Sequence, residues 1–378
     1  MPSTVASSGV NRIHTETNMI ASFATLSATL LVLTLLPLWK QSHWAVRVMD
    51  FPRLQLAILA LLLGLAELYW LPITPFSTVL IASCLFCLLW QARWIAPYTR
   101  IWTFEVRTAC DIQEDRCLSI ITSNVLTPNR QADRLVHLVK QRKPDILVTL
   151  ESDQWWQDQL DVLEPEMPYT LKCPLDNLYG MHVYSRLPLE DTEVSFLVED
   201  NIPSMHALVR LRSGDGIRVH FLHPAPPSPT ENEESAERDA ELVMVARSVA
   251  ERRQPVIVTG DLNDVAWSRT TRLFRKLSHL LDPRIGRGMF NTFHAKWPIL
   301  RWPLDHIFHS EHFSIVHIER LPTIGSDHFP LYTRLLYTPQ HNGDQEGIDP
   351  DKEDNDFADD IEDEQSVSQE HVPTPGRS

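Results

Sequence analysis

The stretch PVIVTGDLND, from Pro255 to Asp264, joins a short apolar run to a cluster of acidic and amide side chains. A run of Val and Ile of this length indicates a buried β-strand. Asp261 and Asn263 follow the run, at the point where the strand would end. Similar short apolar runs alternate with helical patterns throughout residues 101–340, so the sequence predicts a layered α/β domain there.

Seven other segments are also short apolar runs of strand length, and most of them end or begin at a polar side chain. Asp and Asn are common in turns, so one such residue would be ordinary. The strands of one sheet bring their ends to a common edge, however. Several strand ends that carry a metal ligand or a proton-transfer group therefore predict one shared site. The residues concerned are Asn124 after CLSIITS, Glu151 after DILVTL, His223 after IRVHFL, Asp305 at the start of LDHIFHS, and Asp327 and His328 before FPLYTRLL.

This set of side chains suits the cleavage of a phosphoester. The reaction needs a divalent cation at a phosphoryl oxygen, an in-line water that loses a proton, and stabilisation of the leaving oxygen. Mg²⁺ takes oxygen ligands and keeps several waters, so Glu151 with Asn124 would suffice to hold it. Asp305 could orient His328 and stabilise its positive charge toward the phosphate.

The first hundred residues predict a membrane region instead of part of this domain. Three apolar runs cover residues 19–39, 54–73 and 75–92, and the first carries no charge over a length sufficient for a hydrocarbon core of about 30 Å. We therefore predict an N-terminal tail in residues 1–18 and about three transmembrane helices in residues 19–94, which makes the chain a multi-pass integral membrane protein with the lipid bilayer as a partner. The alternative is that the second and third runs form a re-entrant or interfacial pair around Pro72 and Pro75.

Basic residues are distributed unevenly around these runs. The first connection and the segment after the third run are both basic, whereas the second connection contains no Lys or Arg. With three spans the two basic segments share one side, and the positive-inside rule favours a cytoplasmic location for the domain that follows. The residues that carry this bias are Lys40, Arg47 and Arg53, and Arg93, Arg100 and Arg107.

The acidity of the chain is concentrated at its C-terminus. The net charge is −15, and residues 341–378 contain two basic and 13 acidic residues. This segment has few aromatic or β-branched residues with which to bury surface, so we predict a disordered acidic tail. A solvating role is the simple interpretation; a docking or autoinhibitory role, in which the tail mimics a polyanion over the site, is the alternative.

Taken together, the motifs resemble those of the endonuclease/exonuclease/phosphatase superfamily, and they occur in that family's order across roughly residues 115–337. GDLN and SDHFP are the most specific of them. The resemblance implies a four-layered α/β sandwich with two packed β-sheets for residues 101–340. The motifs that carry it are SNV, LVTLE, LHPAPP, VTGDLND, LDHIF and GSDHFPL.

The resemblance also implies roles for individual residues. Glu151 would be the principal ligand of Mg²⁺ or Mn²⁺, with Asn124 and Asp327 close to the metal. This assignment agrees with the oxygen chemistry that Mg²⁺ prefers.

The remaining motif residues would act on the substrate. Asp261 would orient or deprotonate the attacking water, Asn263 would hold the phosphate, and His223 would contact it. His328, oriented by Asp305, would bind the scissile phosphate or act as the base. The choice of base between Asp261 and His328 stays open.

The leading hypothesis is thus a membrane-anchored, divalent-metal-dependent phosphoesterase. Its substrate would be a nucleic acid, as for an endonuclease, or a phospholipid or inositol phosphate. A catalytically inactive scaffold or binding module is the alternative of another class, and the presence of the whole motif set argues against it. A basic stretch between Trp267 and Arg301 is either a solvated helix face or a rim that grips phosphate; it comprises Arg269, Arg272, Arg275, Lys276, Arg284, Arg287, Lys296 and Arg301.

Overall fold

The structure is a computed structural model that describes residues 4–39, 41–229, 232–250, 254–339 and 345–376, with side chains from Glu16 onward. The chain divides into two compact units, residues 1–97 and residues 98–378. The division falls where the apolar runs end and the alternating pattern of the α/β domain begins.

The first unit is helical. Three of its segments are long and apolar enough to cross a membrane, at Glu16–Leu38, Arg53–Trp70 and Pro75–Tyr98. The first helix begins at Thr4, so it includes most of the predicted N-terminal tail. The second and third apolar runs are continuous helices, which is the arrangement expected of spans. The helices are α1 (Thr4–Leu35), α2 (Trp44–Arg47), α3 (Arg53–Trp70) and α4 (Pro75–Ile95).

Small side chains allow the long helices of this unit to pack closely. Ala60 of α3 and the two cysteines of α4, Cys84 and Cys87, are almost fully buried in one cluster with Leu30 of α1. The carboxyl group of Glu67 is buried in the same bundle, where it accepts a hydrogen bond from Ser27. A polar group inside such a bundle requires a partner of this kind.

In the second unit, the described residues form two mixed sheets. One sheet has the strand order β10-β11-β1-β2-β4-β3, and the other has the order β5-β6-β7-β8-β9. The strands are β1 (Cys117–Asn124), β2 (Ile146–Leu150), β3 (Tyr169–Cys173), β4 (Met181–Ser185), β5 (Leu189–Ser195), β6 (Ser204–Arg210), β7 (Gly216–Leu222), β8 (Val256–Asp261), β9 (Asp305–His309), β10 (Phe313–Arg320) and β11 (Leu331–Tyr337).

The sheets pack face to face, and helices cover their outer faces. One apolar cluster contains residues from both sheets, including Ile120, Val148, Val219 and Ile257. A second cluster joins one outer face to helices α5 and α6, and a third joins the other outer face to α7, α8 and α9. The predicted four-layered α/β sandwich is therefore confirmed. The helices are α5 (Ala132–Arg142), α6 (Gln154–Leu160), α7 (Ala236–Ala250), α8 (Arg269–Ser278) and α9 (Lys352–Gln365).

Each sheet contains one parallel pair of strands linked through a helix. β1 and β2 are parallel and are joined by α5, and β7 and β8 are parallel and are joined by α7. A parallel pair requires a crossover of this kind, because a tight turn can only join antiparallel strands. Both members of each pair consequently end at the same edge of their sheet.

All eight predicted strands are present, and three further strands were not predicted. β3 and β10 form the two edges of the first sheet, and β5 forms an edge of the second. No residue of β5 is buried, and its three central residues are exposed. Edge strands of this type lack the continuous apolar run that marks a buried strand, and this explains why the sequence pattern missed them.

The prediction of a disordered C-terminal tail is wrong for residues 345–376. Helix α9 begins at a capping box in which the side chain of Asp351 accepts a hydrogen bond from the Asp354 amide. Its apolar side, with Ala358 and Ile361, packs in the cluster formed with α7 and α8. Four of its acidic residues pair with two basic residues of those helices; the pairs are Arg247 with Asp359 and Glu362, and Lys276 with Asp351 and Asp354.

Candidate active site

The strand pairings explain why the motif residues meet. Asn124 is the last residue of β1, and Glu151 follows the last residue of its parallel neighbour β2. In the other sheet, His223 follows β7, and Asp261 is the last residue of β8. β9 runs antiparallel to β8, so its first residue, Asp305, lies directly opposite Asp261.

The two sheets are joined by a hydrogen bond close to these strand ends. The hydroxyl oxygens of Thr122 in β1 and Thr259 in β8 lie 2.9 Å apart. Gly260, the next residue, has a φ of 155°, and a Cβ there would lie 1.8 Å from the carbonyl oxygen of Leu222. The GDLN motif therefore needs glycine at this position, because a side chain would separate β7 from β8 and displace Asp261.

Asn124 links the acidic groups of the two sheets. Its side-chain amide donates hydrogen bonds to Glu151 Oε1 at 2.7 Å and to Asp261 Oδ2 at 3.2 Å. Its own side-chain oxygen accepts a bond from the amide of Leu126 at 3.1 Å, which fixes the orientation of the group. The structure thus brings together a predicted ligand pair, Glu151 and Asn124, and a predicted catalytic residue, Asp261.

Glu151 has the features of a cation ligand. Its second carboxylate oxygen, Oε2, is buried, and no hydrogen-bond partner reaches it within the described part of the chain. Burial raises the pKa of Glu151 to about 7, with the neighbouring charges of Asp327 and Asp261 acting in the same direction and the Asn124 hydrogen bond opposing them. A buried carboxylate oxygen that lacks a donor, beside further acidic groups, fits a divalent cation with oxygen ligands.

His328 lies between two carboxylates. Its Nδ1 is 2.8 Å from Asp305 Oδ2, and its Nε2 is 3.5 Å from Asp261 Oδ2. Burial alone would lower the pKa of His328, but the charges of Asp305 and Asp261 outweigh it and raise the pKa to about 10. The imidazole is therefore held in its charged form in this arrangement, with both ring nitrogens acting as donors.

Ligand atoms of Asp261, Asp305 and His328 also lie within 4.8 Å of one another, a spacing that a metal site could have. With its Nδ1 proton donated to Asp305, a neutral His328 would keep a lone pair on Nε2 for a metal, whereas the charged form would have none.

The remaining predicted residues surround this centre. Asn263 is half-buried, and its side-chain amide donates to the carbonyl oxygen of Pro224 at 3.0 Å. His223 is buried; its Nδ1 meets no partner among the described residues, and burial lowers its pKa to about 4. Asp327 is half-buried and accepts a hydrogen bond from Ser326 at 3.2 Å. His223 is thus a neutral imidazole, which can donate to or accept from a bound group.

Several supporting residues were not predicted from the sequence. The hydroxyl of Thr292 accepts a hydrogen bond from the Asp305 amide, and the hydroxyl of Ser326 accepts one from the His328 amide. The guanidinium group of Arg284 donates to the carbonyl oxygen of Asp305 at 3.2 Å. The ring of Phe293 lies 4.9 Å from that of His328. Of these, only Ser326 belongs to a recognised motif, and the others come from a loop without a sequence pattern.

Three of the eight basic residues between Trp267 and Arg301 form ion pairs within the fold and not a rim around the site. Arg275 and Arg284 are buried in ion pairs with Glu105 and Asp282. Lys276 pairs with the acidic helix α9. These three side chains are paired within the fold, so they do not belong to a solvated helix face either.

Comparisons with known proteins agree with this architecture. The model of the family described as Endonuclease/Exonuclease/phosphatase matches residues 121–328. No curated protein matches the chain.

The chain is also similar to solved structures, among them the following three. An endonuclease/exonuclease/phosphatase from Beutenbergia cavernae DSM 12333 is 16% identical, with 59% of this chain and 72% of that chain covered and a TM-score of 0.47. D. rerio TDP2 complexed with a single-strand DNA product is 19% identical, with 58% and 98% covered and a TM-score of 0.49. The human nocturnin catalytic domain with a bound sulfate anion is 15% identical, with 61% and 97% covered and a TM-score of 0.49.

Proposed function

This chain belongs to the endonuclease/exonuclease/phosphatase family, and from that premise we propose that it is a membrane-anchored, metal-dependent phosphoesterase. The observation that carries the proposal is the meeting of Glu151, Asp261 and His328 at one point, linked by the Asn124 amide and supported by Asp305. A catalytically inactive scaffold would gain nothing from burying these charges together, since each costs free energy to remove from water.

In this proposal Glu151, with Asp327 beside it, would hold Mg²⁺ or Mn²⁺, and Asn124, whose NH2 group faces Glu151, would orient that carboxylate near the metal. A bound divalent cation would polarise the phosphoryl oxygen and favour ionisation of a nearby water. The buried, unpartnered Oε2 of Glu151 supports this assignment.

The protein's own side chains would supply the remaining chemistry. His328, held in its charged form by Asp305, would donate to a non-bridging oxygen of the scissile phosphate and stabilise charge in the transition state. Asp261, buried and linked to Asn124, would accept the proton of the attacking water. Asn263 and His223, at the ends of β8 and β7, would hold the other phosphate oxygens. The position of His328 between Asp305 and Asp261 raises its pKa and makes it a poor proton acceptor, which supports Asp261 as the base.

The three apolar helices support a membrane location for this activity. We propose that residues 19–94 are the membrane region and that residues 101–340 are the catalytic domain. The charge bias of the connections favours the cytoplasmic side. A nucleic acid and a phospholipid or inositol phosphate are both compatible with the chemistry of the site, because both offer a phosphodiester.

The proposal is tested with the full chain reconstituted in lipid nanodiscs. Supercoiled plasmid, a phospholipid mixture and an inositol phosphate are each incubated with Mg²⁺, and nicking or phosphoester release is measured. We expect hydrolysis of one substrate class that requires the metal and is lost in Asp261→Asn. The matched control is Asp215→Asn, a carboxylate that pairs with Arg116 outside the site.

The outcome separates the hypotheses. Activity that is abolished by EDTA and by Asp261→Asn but retained in Asp215→Asn would establish the enzyme and its substrate class. No hydrolysis of any of the three substrates by a folded chain would contradict the proposal and favour a binding or scaffold role.

A further inference from the structure

A loop beside the candidate site exposes apolar side chains. We call residues 294–301 the Trp297 loop. In this loop Trp297 is 61% exposed, Ile299 is 79% exposed and Leu300 is 47% exposed. Single exposed apolar residues are ordinary, but three within four positions form a patch whose exposure to water is unfavourable. A patch of this kind indicates an interaction surface.

Main-chain hydrogen bonds hold the loop in a defined shape. The amide of Leu300 donates to the carbonyl oxygen of Trp297, and the amide of His294 donates to that of Leu300, both at 3.0 Å. The guanidinium group of Arg301 closes the base of the loop by donating to the carbonyl oxygens of His294 and Ala295. The apolar tip is thus presented to solvent by an ordered framework.

The loop is also attached to the site. The amide of Ala295 donates to the carbonyl oxygen of Asp327 at 2.6 Å. Phe293, the residue before the loop, contacts the ring of His328. The Trp297 loop therefore borders the site on the side formed by Asp327 and His328.

The surroundings of the apolar tip are basic. Residues 291–301 contain Lys296 and Arg301 and no Asp or Glu. The guanidinium groups of Arg301 and Arg320 lie 5.0 Å and 4.3 Å from the ring centroid of Phe329, the residue after His328. Arg320 donates to the carbonyl oxygen of Asn291, so the hydrogen bonds of both guanidinium groups go to main-chain oxygens and do not neutralise their charge.

We propose that the Trp297 loop, together with Arg320, is a docking surface for an anionic lipid bilayer. Tryptophan prefers the membrane–water interface, aliphatic side chains such as Ile299 and Leu300 enter the acyl region, and basic side chains pair with anionic headgroups. A single-stranded nucleic acid would also attract the basic groups, but it gains nothing from two exposed aliphatic side chains. This surface goes beyond the proposed activity and does not depend on it.

Hydrogen exchange of the full chain in nanodiscs tests the docking without reference to activity. One preparation contains phosphatidylcholine alone, and the other contains phosphatidylcholine with phosphatidylglycerol. We expect the amides of residues 295–301 to exchange about tenfold more slowly in the anionic discs, as docked groups should. Arg320→Gln should reduce this protection about fivefold, which is the contribution of one basic residue near an anionic surface.

A matched pair of variants separates insertion from a general effect of hydrophobicity. Trp297→Ser combined with Ile299→Ser should abolish the lipid-dependent protection. Val162→Ser, which changes an apolar residue that is 54% exposed outside the loop, should leave the protection unchanged. Equal exchange of the loop in the two kinds of disc would overturn the proposal, as would protection by a single-stranded oligonucleotide in place of the anionic lipid.

Discussion

Asp305 and His328 form a hydrogen bond of 2.8 Å between the first residue of β9 and the segment that leads into β11, which belong to different sheets. The Asp305 carboxylate keeps a proton on Nδ1 of the imidazole and thereby directs Nε2 toward Asp261. His328 can therefore present a charged donor at the site although it is buried.

Asp305→Asn should lower kcat by about 10² to 10⁴, the range for losing an oriented acid–base group. KM should change little, because His328 and the other phosphate-binding groups remain in place. Steady-state hydrolysis of a small chromogenic phosphodiester measures both quantities. Asp215→Asn serves as the control, and a wild-type kcat in Asp305→Asn would show that the pairing has no catalytic importance.

Glu151→Gln should weaken the binding of Mg²⁺ or Mn²⁺ by at least about tenfold, because it replaces the buried charged ligand with a neutral group of the same shape. Calorimetric titration of the full chain with Mn²⁺ measures this directly and does not require activity. Glu164→Gln, which changes a partly exposed partner of Lys172, should bind metal normally. Unchanged affinity in Glu151→Gln would exclude Glu151 as the principal ligand.

Ile361→Ala should lower the free energy of unfolding by about 2–4 kcal/mol, as expected for a large-to-small change at a buried aliphatic side chain. Ile361, on the buried side of α9, is 7% exposed, whereas Ile348 in the same tail is 38% exposed. Ile348→Ala should therefore change the free energy by less than about 0.5 kcal/mol. Chemical denaturation of the two variants compares them, and equal stabilities would mean that the acidic helix does not pack in solution.

Glu241→Gln should make the protein more stable than the wild type at alkaline pH and leave it similar at acidic pH. Burial, assisted by the charge of Glu199, raises the pKa of Glu241 to about 8 from an ordinary value of 4.5. Folding favours the neutral form of Glu241. Its contribution to the free energy of unfolding is therefore fully present below about pH 4.5 and is lost as the pH rises through about 8. Melting temperatures at about pH 5 and about pH 9 test this, with Glu193→Gln, at an exposed site, as the control.

Much of the catalytic unit was predictable from local patterns. The buried strands β1, β2, β7 and β8 are apolar runs of strand length, and each delivers a motif residue at its end, as predicted. The three missed strands lie at sheet edges, where burial is incomplete and the period of the pattern is weak. The acidic tail was misjudged because its composition resembles that of a disordered segment, although its few apolar residues share one helical face.

The site could be predicted as a set of residues but not as an arrangement. The sequence placed Glu151, Asp261 and His328 at strand ends, because side-chain type and strand period are local properties. The pairing of Asp305 with His328 was predicted, but the approach of His328 Nε2 to Asp261 and the oxygen of Glu151 that remains available for a cation depended on how two sheets come together at Thr122 and Thr259. The Trp297 loop and the burial of Arg275 and Arg284 were decided in the same way.

The amino-acid sequence by itself therefore determined eight of the eleven strands, the three apolar helices and the chemical types present at the strand ends, because each follows from short-range periodicity and composition. The tertiary structure decided the partners, the protonation of His328 and the exposure of the loop beside it. These properties depend on distances between residues far apart in the chain, and on the removal of water from the groups that meet there.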